Sequence, residues 1–272
     1  MSQAKKLILK AKKSIFSEKI GNNPSIFKGE GYDFIELREY QIGDDIRKID
    51  WNITAKHNKP YIKIFQEERE LNIVGVSLLN GSTFFGGQRM KQDVIAEIIA
   101  LIGFSAVKNR DIFSSFIFAD SQSIFQKESK HNFGVEKSVE NILAFNPIGK
   151  GLDSKYIIDK LIGKVKKRSL IFIISDFYTE LNLKYLAKHS EVIAIIVRDK
   201  IEEKPPRFGD MTLVDSENGN RIEGDFGNSN SYQKNLQIHD QKIFNNMKKS
   251  GVRILKLYTD SNIYKEFRKF FG

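Results

Sequence analysis

From residue 71 onward the chain switches repeatedly between two hydrophobic periods. Residues 71–79, 170–174, 192–197 and 252–257 are short, almost wholly apolar runs rich in Val and Ile, the pattern of strands buried on both faces of a parallel sheet. Residues 111–119 read as a further strand and 123–127 as a short strand or hairpin partner. Between them lie stretches of helical period. Val94, Ile95, Ile98, Ile99, Leu101 and Ile102 recur on most faces of one helix, which predicts that it is buried, and 135–144, 154–165, 180–189, about 231–249 and 263–271 follow. Asn146-Pro147-Ile148-Gly149-Lys150-Gly151 breaks the chain between two of these helices. Strand and helix alternate with short connections, so the expected fold is α/β: a doubly wound, mainly parallel sheet with helices on both faces. Pro205 and Pro206 open an insertion near 205–226, read as a hairpin of 211–214 with 221–223 whose turn carries Asn218-Gly219.

The first 70 residues are built differently. Ala4, Leu7, Ile8, Ala11 and Ile15 fall at helical spacing, with Lys5, Lys6, Lys10, Lys12 and Lys13 on the remaining faces. This predicts a helix that packs on the domain, with docking on a membrane surface or a partner as the other reading. After the turn-rich residues 21–25, segment 29–70 crowds acids and bases among Tyr32, Phe34, Tyr40, Trp51 and Phe65. A guanidinium that pairs bidentately with a carboxylate fixes geometry as well as charge, so Arg47 with Asp50 is the expected pair and Trp51 the expected core anchor. Asp44, Asp45 and Asp50 read as charge compensation for Arg38, Arg47, Lys48 and Lys56 rather than as acid–base catalysts, which need unlike environments. The segment is too short and too charged to bury a core of its own. The expected division is therefore 1–70, packed on the core, and 71–272, the α/β domain with its hairpin insertion.

Composition narrows the function classes. At 272 residues and 40% apolar content the chain has enough material for a large core. The absence of cysteine excludes a disulfide framework, a thiolate metal site and a cysteine nucleophile, and makes the cytoplasm the expected location. His57, His131, His189 and His239 lack zinc-like spacing. The apolar runs fall far short of the ~20 residues of a membrane-spanning helix, and the lysine-rich start lacks the features of a secretory signal. A net charge of +10 raises nucleic-acid binding, yet the lysines are interleaved with acids and only 11 of the 44 basic residues are arginine. A solvated lysine surface is expected, with non-specific nucleic-acid contact a third functional reading. No Gly-x-Ser-x-Gly elbow or Walker loop occurs, so no catalytic residue is assigned.

Gly31-Tyr32-Asp33-Phe34, Leu37-Arg38-Glu39-Tyr40, Gly43-Asp44-Asp45-Ile46-Arg47-Lys48-Ile49-Asp50-Trp51 and Thr54-Ala55-Lys56 carry a resemblance. They are similar to the family called domain of unknown function 58, with Asp33, Arg38, Tyr40, Gly43, Asp44, Asp45, Arg47, Asp50, Trp51 and Lys56 as motif positions. The likeness continues at Ser175-Asp176-Phe177, Val197-Arg198-Asp199 and Val214-Asp215-Ser216-Glu217-Asn218-Gly219. It implies a von Willebrand factor A-like core and a MoxR-type AAA+ ATPase as partner, with no established reaction.

The resemblance also implies where a metal would lie: above the carboxyl ends of the strands, held by an Asp-x-Ser-x-Ser loop, a Thr and an Asp. Here Leu78 and Asn80 stand at the first two positions, Ser82 remains, Leu152 replaces the Thr beside a displaced Asp153, and Asp176 is retained. Asn80, Ser82 and Asp176 alone make a poor Mg2+ site. The expectation is no cofactor, with Asn80 and Ser82 satisfying backbone groups and Asp176 capping the next helix. The expected function is a non-enzymatic interaction protein; a Mg2+-dependent binder or an enzyme using Asn80, Ser82 and Asp176 is the alternative. Phe84, Phe85, Asp153, Phe177 and Tyr178 form the expected partner surface at the carboxyl edge, although each aromatic is equally compatible with a core position.

Overall fold

The two hydrophobic patterns fold as two units, residues 28–70 and residues 1–27 with 71–272. The computed structural model describes residues 2–16, 36–57, 59–64, 70–206, 209–225 and 230–271. The first helix, α1 (Gln3–Phe16), joins the larger unit rather than the motif segment that follows it. In the smaller unit β1 (Glu36–Glu39) pairs antiparallel with β2 (Tyr61–Ile64), and a 3-10 turn at Ile46–Lys48 and helix α2 (Trp51–His57) lie between them.

In the larger unit the apolar runs lie side by side. β3 (Asn72–Leu78), β4 (Ile112–Ala119), β6 (Leu170–Ser175), β7 (Glu191–Arg198) and β10 (Arg253–Tyr258) are parallel, and β5 (Gln122–Ser129) returns antiparallel along β4. The order across this six-stranded sheet is β10-β7-β6-β3-β4-β5. β8 (Asp210–Val214) and β9 (Arg221–Asp225) form the inserted hairpin, and Gly219 at its turn adopts φ +75, which suits glycine. The helices are α3 (Lys91–Lys108), α4 (Asn132–Ala144), α5 (Ser154–Lys164), α6 (Lys184–His189), α7 (Lys200–Glu203), α8 (Asn230–Lys249) and α9 (Ile263–Phe271).

Each face of the sheet has its own core. One joins Ile73, Phe113, Phe172, Ile193 and Leu257 of the strands to α1, α3, α4 and α9; the other joins Val76, Phe118, Ile171 and Ile196 to α5, α6 and α8. This is the mixed, doubly wound α/β arrangement that alternating elements predict. α3 is buried over most of its length because the sheet lies beneath it and Ala11 and Ile15 of α1 share its core. Side chains such as Ile98 and Phe104 are fully buried, each contributing roughly 1.5–3 kcal/mol of hydrophobic stabilisation. Among the described residues no helix is long and apolar enough to cross a membrane.

α6 and β5 illustrate how element bounds depart from the sequence reading. Helix α6 begins at Lys184 rather than 180, because Leu181 and Leu183 are buried from irregular chain and their apolar spacing imitates a helical turn. β5 is longer than 123–127 because it pairs along most of β4, past a bulge between Phe113 and Ser115.

The chain adds β4 on one side of β3 and β6 on the other. The connections leaving the carboxyl ends of β3 and β6 therefore part company, which opens a crevice at that edge.

Candidate functional site

Four connections and the hairpin turn meet at this edge. After β3 the chain makes a 3-10 turn, Gly81–Phe84, in which Thr83 Oγ1 donates to the Asn80 carbonyl at 2.7 Å. A β-carbon on Gly81 would stand 2.1 Å from the Ser216 carbonyl oxygen of the β8–β9 turn, so only glycine admits this approach. After β6, Asp176 is fully buried and Phe177 takes the left-handed value φ +52, a strained conformation held by its burial and by donation from its N–H to Ser175 Oγ at 3.1 Å. After β7, Asp199 and Glu202 form a reciprocal capping box on α7. Asp199 Oδ2 also accepts from Gly87 N and Thr259 Oγ1, tying the β3, β7 and β10 connections together.

The centre of the crevice is Lys91, the first residue of α3, and its side chain is 0% exposed. Helical side chains lean toward the helix N-terminus, and here that end lies at the carboxyl edge of the sheet. The ammonium thus enters the crevice, 2.9 Å from Asp176 Oδ2 and 2.5 Å from Glu202 Oε1. Ser82 Oγ donates to the same Asp176 oxygen at 2.5 Å, and Glu202 Oε2 accepts from Asp199 N at 3.1 Å. The Tyr178 ring faces the ammonium at 5.3 Å. Burial pushes the Asp176 carboxyl up, but the Lys91 ammonium and the Ser82 hydroxyl outweigh it and hold the group below its ordinary value. For Glu202 burial wins over Lys91, and its value is raised.

Beside this cluster Arg198 is fully buried at the end of β7. Its Nη2 donates to Asp240 of α8 at 2.7 Å and its guanidinium carbon lies 3.8 Å from the Tyr178 ring centroid, while Nε and Nη1 have no hydrogen-bond partner among the described residues. Burial raises the Tyr178 phenol above its usual range. The hairpin turn closes the other side. Asn80 Nδ2 donates to Glu217 Oε1 at 2.5 Å, and Gly149 N donates to the Ser216 carbonyl at 2.8 Å. Burial raises the Glu217 carboxyl, partly offset by the Asn80 amide.

The residues present do not fit Mg2+. The ammonium takes the faces of Asp176 and Glu202 that a cation would use, Leu78 and Leu152 offer no oxygen, and Asp153 caps α5 by accepting from Tyr156 N at 2.9 Å. Among the described residues no three acidic or histidine side chains converge to hold a metal.

Other expectations change for stated reasons. Asn80 and Ser82 point their side chains at Glu217 and Asp176 rather than at backbone groups. Asp176 caps no helix, since irregular chain follows it and its carboxylate faces Lys91. Phe177 is a core residue and Tyr178 packs under Arg198, so neither belongs to an exposed surface, whereas Phe84 and Phe85 are 48% and 41% exposed. Sequence reading missed Lys91, Glu202 and Asp240. No local signal marked Lys91, because α3 also carries Asp93, Glu97 and Lys108 and a lysine opening a helix ordinarily reads as solvated.

The motif residues of 28–70 form a network of their own. The bidentate pair is Arg38 with Asp44, at 2.8 and 2.7 Å. Asp50 caps α2 by accepting from Asn52 N and Ile53 N, so it is not the partner of Arg47. Arg47 pairs with Asp45, and its side chain is 89% exposed. Trp51 is 68% exposed rather than a core anchor, and Lys56 is exposed, as is Gly43 at φ +107; Tyr40 is half-buried. Asp33 lies outside the described residues. Because exposed ion pairs contribute little, Arg47→Ala is expected to leave the urea melt essentially unchanged; a clear loss of stability would show that Arg47 is held by more than Asp45.

Fold and crevice together define a parallel α/β protein whose carboxyl-edge charges are neutralised by its own side chains. The chain belongs to the family described as "Protein of unknown function DUF58", which matches residues 36–240. Uncharacterized protein Rv1480 of Mycobacterium tuberculosis and Uncharacterized protein Mb1516 of Mycobacterium bovis are each 27% identical over 252 residues, covering 88% of this chain and 78% of theirs. A crystal structure of an uncharacterized membrane spanning protein from Vibrio fischeri aligns over 75% of this chain and 97% of that one, at 11% identity and a TM-score of 0.24.

Proposed function

We propose that the chain is a non-enzymatic interaction protein that docks a MoxR-type AAA+ ATPase at the carboxyl edge of a von Willebrand factor A-like sheet. The ATPase comes from the family resemblance of the motif segments. The observation that carries the docking reading is the contrast within the crevice: its interior charges, Lys91, Asp176 and Glu202, satisfy one another, while Phe84 and Phe85 stand exposed at its rim. A crevice already filled with paired charge has no open position for a reacting group, whereas aromatics beside a polar rim have the composition of an interface centre. The segment 28–70 adds exposed Ile42, Ile46 and Trp51, apolar side chains of the kind found at binding surfaces.

The test is capture of a purified MoxR-type ATPase by the immobilised chain. Phe84→Ala and Phe85→Ala are each expected to weaken capture by about tenfold or more with an unchanged melting temperature. Tyr178→Ala is unsuitable, because it removes the ring under Arg198. Full capture by both phenylalanine variants would overturn the edge as the docking surface, and a loss caused instead by Trp51→Ala would move the interface to 28–70.

A further inference from the structure

The helical period separates what the sequence interleaves. Along α5 and α6 it turns Ile157, Leu161 and Leu186 into the core and leaves Lys155, Lys160, Lys164, Lys184 and Lys188 outside. Among the described residues none of these lysines forms an ion pair, and neither do the three basic residues 166–168 that follow α5. Elsewhere the basic side chains have acids: Lys12 pairs with Glu136, Lys200 with Asp260 and Arg253 with Glu191. Of the acids nearby, Asp153 caps α5, and Glu180 faces Asn246 and Lys242 of α8. Uncompensated positive charge is therefore gathered over one face of the sheet.

Between the two helices lies a cavity of about 490 Å3, within the ~300–1,000 Å3 of small-ligand sites. Lys155, Lys184 and Lys188 line it, with Asp159 the one acid of the lining and Ile158 and Tyr185 supplying apolar surface. Tyr185 is 52% exposed and stacks on His189, the ring centroids 4.5 Å apart. The pairing of cation and ring repeats across the face: Lys160 lies 5.4 Å from the Tyr156 centroid, and Lys164 lies 5.8 Å from that of Phe125 on β5. We propose that this groove binds single-stranded nucleic acid without sequence preference, its lysines taking successive phosphates and Tyr185 stacking a base. A bilayer is flat and spans the mouth of a groove rather than entering it, and an acidic peptide brings charge without a ring in every unit. A strand brings a phosphate and a planar base in each nucleotide, which matches both features. The groove shares no residue with the Phe84 and Phe85 rim, and the inference needs no ATPase.

The experiment is fluorescence anisotropy of a labelled oligothymidine of about 20 nucleotides, titrated with the full chain over a range of salt concentrations. An abasic oligomer of equal length, an oligouridine and phosphatidylglycerol vesicles are the comparison ligands. Lys155→Ala/Lys188→Ala is expected to weaken binding about tenfold or more and to lower the slope of log affinity against log salt by about 1.4, roughly 0.7 for each phosphate contact removed. Lys5→Ala/Lys6→Ala on α1 removes the same charge from the other face of the sheet and should change neither. Tyr185→Ala should cost about fivefold or more on oligothymidine and nothing on the abasic strand, with Tyr185→Phe close to wild type. Oligouridine should bind like oligothymidine, since no contact named here uses the 2′-hydroxyl. All of these side chains are exposed, so the variants keep the fold. Equal losses from the α1 and groove variants, a Tyr185→Ala chain that still binds oligothymidine like wild type, or binding to the vesicles in preference to the oligomer would each overturn the proposal.

Discussion

Lys91→Met is expected to lower stability by about 3–5 kcal/mol near neutral pH, because removing one member of a buried ion pair leaves its partners as desolvated, unpaired charges. Two carboxylates are orphaned at once, Asp176 and Glu202, both drawn to the same ammonium in the native chain. The loss should also acquire a pH dependence of defined sign. In wild type, Asp176 lies below its ordinary value of 3.8, so its contribution is present above that value and is lost as pH falls through the folded one. In Lys91→Met both carboxyls rise in the folded state. The folded chain then binds protons more tightly than the unfolded chain, and stability falls as pH rises through the raised values. The deficit against wild type should therefore shrink as pH falls toward the ordinary carboxylate range and be largest near and above neutrality. Urea melts across that range read both effects, and a pH-independent deficit would show that Lys91 acts by filling volume rather than by charge.

The second large effect is expected at Arg198. Arg198→Met removes the guanidinium from Asp240 and from the Tyr178 ring, and about 3 kcal/mol of stability should go with it. The loss stays at the lower end of the buried-pair range because Lys256 lies 3.9 Å from Asp240 and compensates part of its charge. Arg198→Lys keeps the charge but loses the planar stack, so it should fall between the two. Pairing Arg198→Met with Asp240→Leu distinguishes charge from packing: the double variant should recover much of the single loss, since an apolar pair orphans nothing. Strict additivity would show that the two side chains do not depend on each other.

The sheet and α3 were legible in the sequence because burial on both faces writes itself as uninterrupted Val, Ile and Phe, a signal that no local competitor imitates. The site was legible only at the residues that fall on turns. Asn80, Ser82 and Asp176 stand where strand ends were expected, and they do line the crevice. Lys91 was not readable there because a lysine at a helix start ordinarily reads as solvated. Its burial comes from Asp176 and Glu202, 85 and 111 residues away, which no local pattern reports. In 28–70 the difficulty was choice rather than distance. Arg38 and Arg47 both have acids within reach, and the turn between β1 and α2 delivers Asp44 to the first and leaves Asp50 to cap the helix. Trp51 reads as a core anchor from its aromaticity alone, whereas the first turn of α2 turns it outward and leaves it exposed.

The two outer strands of the sheet carry a consequence for how these molecules coexist at high concentration. β5 leaves nearly all its side chains exposed, including Lys127 and Glu128, and is offset from β4 by a bulge. β10 is short, begins with Arg253 lying over the Phe270 and Phe271 rings, and carries Lys256 paired with Glu203. Irregular, charged borders interrupt the row of backbone donors and acceptors that another chain would need in order to add a strand. The Val- and Ile-rich interior, which in isolation has the composition of an aggregating segment, is enclosed on each side by strands poorly suited to templating growth.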